Sequence, residues 1–244
     1  MKAAAGPPCE APATVRRAGL LLPVASLTEP GFGRSARDLL DFLASAGLSV
    51  WQVLPLGPTH SDGSPYQCLS SFALEPSLLD ERDLSDDPAF AEGTPVAARR
   101  RGVGADQALR RAFDAFRHDE SDWLDDYCRF IVLREEQGGR SWFDWPSGLR
   151  DREPAVMEAF EREHGEMLEA VAFEQFLLDR QWQTLRRRAR AKGICLFGDL
   201  PIFVAGDSAD VWANRSLFQL DESGQPTVVA GVPPDYFSAT GQRW

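Results

Sequence analysis

The sequence has few of the residues that bind metals or build disulfide frameworks. Its 244 residues include four cysteines and three histidines, and no two cysteines form a Cys-x-x-Cys pair. Metal sites and thiol redox motifs need such residues close together, so the spacing predicts neither. We therefore expect reduced thiols in a reducing compartment, which favours a cytoplasmic protein.

Positive charge and long apolar runs are also scarce. The 26 lysines and arginines are outnumbered by 37 acidic residues, which gives a formal net charge of −11. The phosphates of nucleic acid or of an anionic membrane would repel this chain, so neither is an expected partner. No apolar stretch is long enough to span a bilayer.

The common nucleotide and hydrolase motifs are missing as well. The sequence has no Gly-x-Gly-x-x-Gly, P-loop, Gly-x-Ser-x-Gly or His-Glu-x-x-His. Dinucleotide binding, serine hydrolysis and zinc-dependent hydrolysis therefore have no support. What the chain does have is 43% hydrophobic residues, which is enough for a sizeable core.

The order of apolar segments predicts an α/β fold with a parallel sheet. Residues 20–24 are apolar, residues 37–46 have helical spacing followed by a capping Gly47, and residues 50–54 are apolar except for Gln52. A strand, a helix and a second strand within about 35 residues form a βαβ unit with parallel strands. Residues 194–198 predict a third buried strand.

Two features indicate a site that binds sugars. Residues 231–244 are rich in proline, glycine and aromatic rings without helix or strand periodicity, which predicts a shaped loop. Tyr66 and Gln67 lie on a long loop after the second predicted strand. Aromatic faces with nearby amides and carboxylates suit polyols, because sugars combine apolar ring faces with hydroxyl groups.

Asp199 is a candidate site residue because it follows the third predicted strand. Barrel folds place catalytic and binding groups at the carboxyl ends of their strands. The alternative is that Asp199 caps a short helix, and position alone favours neither interpretation. Further on, Asp207 suits the N-cap of a short helix.

Four sequence blocks together resemble the 4-alpha-glucanotransferase family, also called amylomaltases or disproportionating enzymes. They are LPLGPT (54–59) with SPYQ (64–67), GDLPIFV (198–204), DSADVW (207–212) and GVPPDYFSATGQRW (231–244). The resemblance implies a (β/α)8 TIM-type barrel, of which this chain would be the N-terminal part with helical insertions. It also implies an incomplete barrel domain at 16–244 with an inserted subdomain at about 72–165. Residues 1–15 are rich in alanine, proline and glycine, and this composition predicts a disordered segment.

The resemblance implies a retaining double displacement that moves a segment of an α-1,4-glucan to a 4-hydroxyl of an acceptor glucan or glucose. Maltooligosaccharides and α-1,4-glucans would be the ligands, and no metal or cofactor is required. Asp199 matches an aspartate beside the reacting sugar, and Tyr66 matches a sugar contact. The loop that covers bound glucan and keeps water out would contribute Asp235, Tyr236, Phe237 and Trp244.

The family's nucleophile and acid/base carboxylates are expected after Trp244, so the chain is predicted to be truncated before them. Ser61 stands where the family usually has a tyrosine, which removes one remote stacking contact. Two alternatives stay open: a non-catalytic α-glucan-binding fragment, and an α-glucan hydrolase on the same barrel. The oligomeric state is left open.

Overall fold

The computed structural model describes residues 16–29 and 31–243, with the backbone alone for Arg243. The segment predicted to be disordered, 1–15, and Trp244 lie outside the described residues. The chain divides into two compact units, and the inserted subdomain at about 72–165 stays a prediction. The first unit comprises Met1–Leu56, Leu74–Phe113 and Phe173–Leu200, and the second comprises Gly57–Ala73, Asp114–Ala172 and Pro201–Trp244.

A three-stranded parallel sheet forms in the first unit, as the sequence predicts. Its strands, in spatial order, are β1 (Gly19–Leu21), β2 (Val50–Gln52) and β3 (Cys195–Phe197). Trp51 in the central strand pairs with Leu20 on one side and Leu196 on the other. Its ring is fully buried, and its indole N–H donates to the carbonyl of Leu22 at 2.8 Å. One side chain thus fills the core beneath the sheet while satisfying its own polar atom.

The two outer strands are less buried than expected. Leu21 of β1 exposes 52% of its surface, and Phe197 of β3 exposes 59%. Parallel sheets are usually covered on both faces, which is why apolar runs predicted buried strands. Within the described residues β1 and β3 are the edges of the sheet, so the prediction is wrong for these two side chains.

Helices of the first unit pack by the periodicity that the sequence shows. In α1 (Arg34–Ser45), the side chains of Ala36, Leu40 and Leu43 recur on one face and are completely buried. Gly47 has a φ of +71°, and its N–H donates to the carbonyl of Ala44, which confirms the predicted cap. Three further helices follow, α2 (Glu81–Ser85), α3 (Val96–Arg99) and α4 (Gln107–Asp119).

The second unit is built around buried aromatic rings. Its helices are α5 (Leu124–Glu136), α6 (Ser147–Arg150), the start of α7 (Pro154–Ala191) and α8 (Ala209–Ala213), with a hairpin of β4 (Gly231–Val232) and β5 (Gln242–Arg243). Phe130, Trp142 and Trp212 are fully buried. The ring of Trp212 lies 6.0 Å from that of Phe130 and 5.6 Å from that of Trp145. Along α7 the helical dihedral angles break at His164.

Cysteine chemistry differs from the prediction at one position. Cys68 and Cys128 are buried thiols outside any disulfide, and burial raises the pKa of the Cys128 thiol to about 12, which makes it unreactive. Cys195 is disulfide-bonded, so the expectation of reduced thiols throughout is wrong.

No helix among the described residues has both the length and the apolar character that crossing a membrane requires.

An ion pair fastens the segment before α8 to α5. The Arg134 guanidinium lies 2.7 Å from one carboxylate oxygen of Asp207, and the other oxygen accepts the N–H of Trp142 at 3.2 Å. The predicted N-cap role of Asp207 is wrong. Ser208 caps α8 instead, because its hydroxyl accepts the N–H of Val211. Asp207 is thereby free to join two other parts of the unit.

We expect Asp207→Ala to lower the free energy of unfolding by about 1.5–3 kcal/mol, because it removes charge-assisted hydrogen bonds from a largely buried guanidinium. Asp38→Ala is the matched control, since the Arg34–Asp38 pair is exposed on α1, and its loss should cost about 0–1 kcal/mol. Urea unfolding followed by tryptophan fluorescence measures both. Equal effects of the two variants would contradict the anchoring role of Asp207.

Candidate functional site

Tyr66 lies on a loop that is held together by its own hydrogen bonds. The N–H of Leu69 donates to the carbonyl of Pro58 at 2.7 Å, which brings the two ends of the loop side by side. The Cys68 thiol donates to the carbonyl of Pro65 at 3.0 Å. Tyr66 stands near the tip with 48% of its surface exposed. Its ring is therefore accessible on a loop whose shape is set internally.

The end of this loop is bound to α8. The N–H of Ala209 donates to the carbonyl of Leu69 at 2.8 Å, and the N–H of Ser71 donates to the carboxylate of Asp210 at 3.0 Å. These two bonds run in opposite directions between the same two segments, so they fix both position and orientation. The loop that carries Tyr66 is consequently part of the packed second unit.

Asp199 occupies the position that the sequence predicts, two residues after the end of β3. One of its carboxylate oxygens accepts the N–H of Leu200 at 2.9 Å, and the side chain remains partly exposed. Among the described residues, the next helix along the chain begins only at Ala209. The alternative of a helix cap is therefore wrong for Asp199, and a carboxylate at the carboxyl end of a parallel strand remains.

The terminal loop is an antiparallel hairpin closed by β4 and β5. Gly241 has a φ of +73°, and a Cβ there would lie 2.3 Å from the carbonyl oxygen of Val232, so only glycine fits. At the tip, one carboxylate oxygen of Asp235 accepts the N–H groups of Phe237 and Ser238 at 2.9 and 2.8 Å. Asp235 thus shapes the turn with this oxygen.

Two aromatic rings project from the tip of this hairpin. Tyr236 exposes 96% and Phe237 exposes 90% of its surface, and their rings meet edge to face with centroids 5.5 Å apart. Exposed aromatic pairs on a shaped turn mark a contact surface, because folding alone does not favour leaving them in water. These two residues and Tyr66 belong to the second unit, whereas Asp199 belongs to the first.

Sequence reasoning missed the two acids that position the loop carrying Tyr66. His60, near the start of the Tyr66 loop, has its Nδ1 atom 4.0 Å from the Asp207 carboxylate, and Asp210 holds the other end. Both acids lie in one short block, but nothing in that block distinguishes a residue that joins distant segments from a helix cap. Burial raises the pKa of Asp210, and the N–H groups of Ser71 and Asp210 itself offset this only in part.

This raised pKa predicts a pH-dependent effect of Asp210→Asn. Burial destabilises the folded state when Asp210 is ionised. This loss of stability is fully present above the pKa that Asp210 has in the folded protein, and it vanishes below the ordinary pKa of 3.8. The amide keeps an acceptor for Ser71 without the charge. We expect Asp210→Asn to be more stable than the wild type at about pH 7, and the difference to vanish below about pH 4.

Chemical unfolding at both pH values measures the effect. Asp210→Ala is the control, because it leaves the N–H of Ser71 without its acceptor and should reduce stability. An Asp210→Asn protein that is less stable than the wild type at neutral pH would contradict the burial argument.

Comparison with known proteins identifies the family. The sequence model described as 4-alpha-glucanotransferase matches residues 22–244. A 4-alpha-glucanotransferase from Thermus thermophilus is 46% identical over 254 residues, covering 94% of this chain and 51% of that protein. One from Aquifex aeolicus is 39% identical, covering 94% of this chain and 52% of that protein. The chain therefore spans about half the length of these curated relatives.

Solved structures agree with this assignment. An amylomaltase from Streptococcus agalactiae, solved in complex with acarbose, matches with a TM-score of 0.80 at 29% identity, covering 94% of this chain and 52% of that one. The amylomaltase from Corynebacterium glutamicum matches with a TM-score of 0.65 at 18% identity, covering 93% and 35%, and supports the fold alone. As predicted, the fold is the N-terminal part of a (β/α)8 barrel with helical insertions. The chain belongs to the 4-alpha-glucanotransferase family.

Proposed function

We propose that this protein acts in the transfer of α-1,4-glucan segments from a donor to the 4-hydroxyl of an acceptor glucan or glucose. The observation that carries the proposal is the family match across residues 22–244. The exposed rings of Tyr66, Tyr236 and Phe237 support it, because they suit the apolar faces of pyranose rings. Maltooligosaccharides and longer α-1,4-glucans are the proposed ligands, in the cytoplasm.

The proposed chemistry is a double displacement with retention. A carboxylate attacks the anomeric carbon while a carboxylic acid protonates the departing glycosidic oxygen, which leaves a glycosyl-enzyme ester. The acceptor's 4-hydroxyl then displaces the carboxylate as the same acid/base residue takes its proton. The family resemblance expects both groups after residue 244, so we assign neither role within this chain. The two steps need no metal or organic cofactor.

The residues of this chain would bind and shield the glucan. Asp199, a carboxylate at the carboxyl end of β3, would accept a hydrogen bond from a sugar hydroxyl. Tyr66 would contact a sugar from its fixed loop. Tyr236 and Phe237, on the turn that Asp235 shapes, would cover the bound chain together with Trp244. Covering the reaction centre removes water as a competing acceptor, which favours transfer over hydrolysis.

A single reaction separates this proposal from its two alternatives. The protein as its gene encodes it is incubated with maltotriose, and products and reducing ends are quantified. Transfer yields glucose with matched amounts of longer oligomers at constant reducing ends. Rising reducing ends would indicate the hydrolase, and glucan binding without any product would indicate the non-catalytic binder.

Asp199→Asn should lower turnover by about 100-fold or more, because the amide cannot place a negative charge beside a developing oxocarbenium ion. Its circular dichroism and unfolding midpoint should match those of the wild type, since the side chain is partly exposed. Asp38→Asn, on the exposed face of α1, is the control and should keep full activity. Near-normal turnover by Asp199→Asn would remove Asp199 from the site.

Replacing Tyr236 and Phe237 together by alanine should raise hydrolysis relative to transfer, because water then reaches the glycosyl-enzyme. The ratio of new reducing ends to free glucose measures this partition. Val228 and Val229, each 60% exposed on the preceding segment, provide a matched pair for alanine substitution. A partition ratio that is the same in all three proteins would contradict the shielding role.

A further inference from the structure

A second exposed aromatic surface lies on the same loop as Tyr66. Phe72 exposes 62% of its surface, and its ring stacks on that of Trp123 with centroids 6.1 Å apart and planes 16° from parallel. We call this pair the Phe72 platform. Two nearly parallel rings with an open face form a flat apolar shelf at the surface of the second unit.

The backbone that displays Phe72 is fixed by buried groups. The hydroxyl of Ser70, which is only 2% exposed, accepts the N–H of Phe72 at 3.1 Å and the N–H of Ala73 at 3.2 Å. Between them, the N–H of Ser71 is bound to Asp210. Three consecutive N–H groups are thus satisfied, so the backbone that carries the ring is ordered without a ligand, which lowers the cost of ordering on binding.

Trp123 is held as firmly from the other side. Its indole N–H donates to the carboxylate of Glu120 at 2.7 Å, and its ring lies 6.1 Å from that of buried Tyr127. A carboxylate such as that of Glu120 has acceptor sites beyond this one bond. The platform therefore has a flat apolar face with a hydrogen-bond acceptor at its edge.

We propose that the Phe72 platform is an additional binding site for the α-1,4-glucan chain, outside the contacts assigned to Tyr66. The platform combines an aromatic face with an acceptor for hydroxyl groups, which is the chemistry that recognises a pyranose ring. Tyr66 and Phe72 are six positions apart in the chain, so their backbones lie within about 20 Å and one oligosaccharide can reach both. The inference rests on the proposed function for the identity of the ligand.

The size of the platform argues for a sugar over a protein partner. Even fully covered, two aromatic side chains bury about 300–500 Å², whereas a stable protein interface buries about 800 Å² on each partner.

The test compares Phe72→Ala with Phe42→Ala in the protein as its gene encodes it. Phe42 is the matched control, because it is 58% exposed on α1 in the first unit. Loss of the platform should raise the KM for maltoheptaose by about 3- to 10-fold with unchanged kcat. Maltotriose, which is too short to use a remote site as well, should be less affected. Phe72→Tyr should restore the wild-type KM.

Two outcomes would overturn the proposal. One is a KM for maltoheptaose that Phe72→Ala and Phe42→Ala leave equally unchanged. The other is a lower melting temperature for Phe72→Ala with an unchanged KM, which would make Phe72 a packing residue. If the wild type transfers no glucan, the proposed function fails first. Calorimetric measurement of maltoheptaose binding then still tests the Phe72 platform. If the platform binds glucan, Phe72→Ala binds maltoheptaose about 3- to 10-fold more weakly than Phe42→Ala does.

Discussion

The second unit depends on two carboxylates in one short block, Asp207 and Asp210. Asp207 binds the guanidinium of Arg134 and the N–H of Trp142, and its side chain is only 19% exposed. Asp210 binds the N–H of Ser71. Such bonds are strong in partly buried surroundings, and leaving a partner unmet there is costly. The block therefore determines where α5, Trp142 and the Tyr66 loop lie within the unit.

A fixed loop has a direct consequence for binding. Tyr66 and Phe72 are presented by backbone that is already hydrogen-bonded, so a glucan would meet rings that lose little freedom. The hairpin that carries Tyr236 and Phe237 is different. Its turn is closed by Asp235 and its rings are almost fully exposed, so they gain apolar contact only when something covers them. The first surface suits recognition, and the second suits shielding.

Local patterns in the sequence were sufficient wherever a neighbour along the chain decides the structure. The parallel sheet, the α1 helix and the Gly47 cap follow from periodicity and backbone preference, and all three are confirmed. Asp207 could not be predicted in the same way. An aspartate just before a helix is a common N-cap, but Arg134, 73 residues earlier in the chain, binds the Asp207 carboxylate instead. The disulfide-bonded state of Cys195 is likewise a property of proximity in space.

The candidate site also has parts that the sequence predicts and a part that it does not. The aromatic loops and Asp199 were predicted because ring-rich turns and acids at strand ends differ visibly from core sequence. The Phe72 platform was not, because a single phenylalanine in an apolar stretch resembles a core residue. Only its exposure and its stacking on Trp123 reveal it. An exposed ring pair made from residues of common type therefore needs coordinates to be recognised.

Hydrogen–deuterium exchange with and without maltoheptaose tests the central claim most directly, namely that these loops form an α-glucan surface with one fixed part and one covering part. The account predicts that residues 57–73 exchange slowly in the free protein and change little on binding. It also predicts that residues 231–243 exchange quickly when free and become protected by the sugar. Protection of neither segment at saturating maltoheptaose would contradict the account, as would fast exchange throughout residues 57–73 in the free protein.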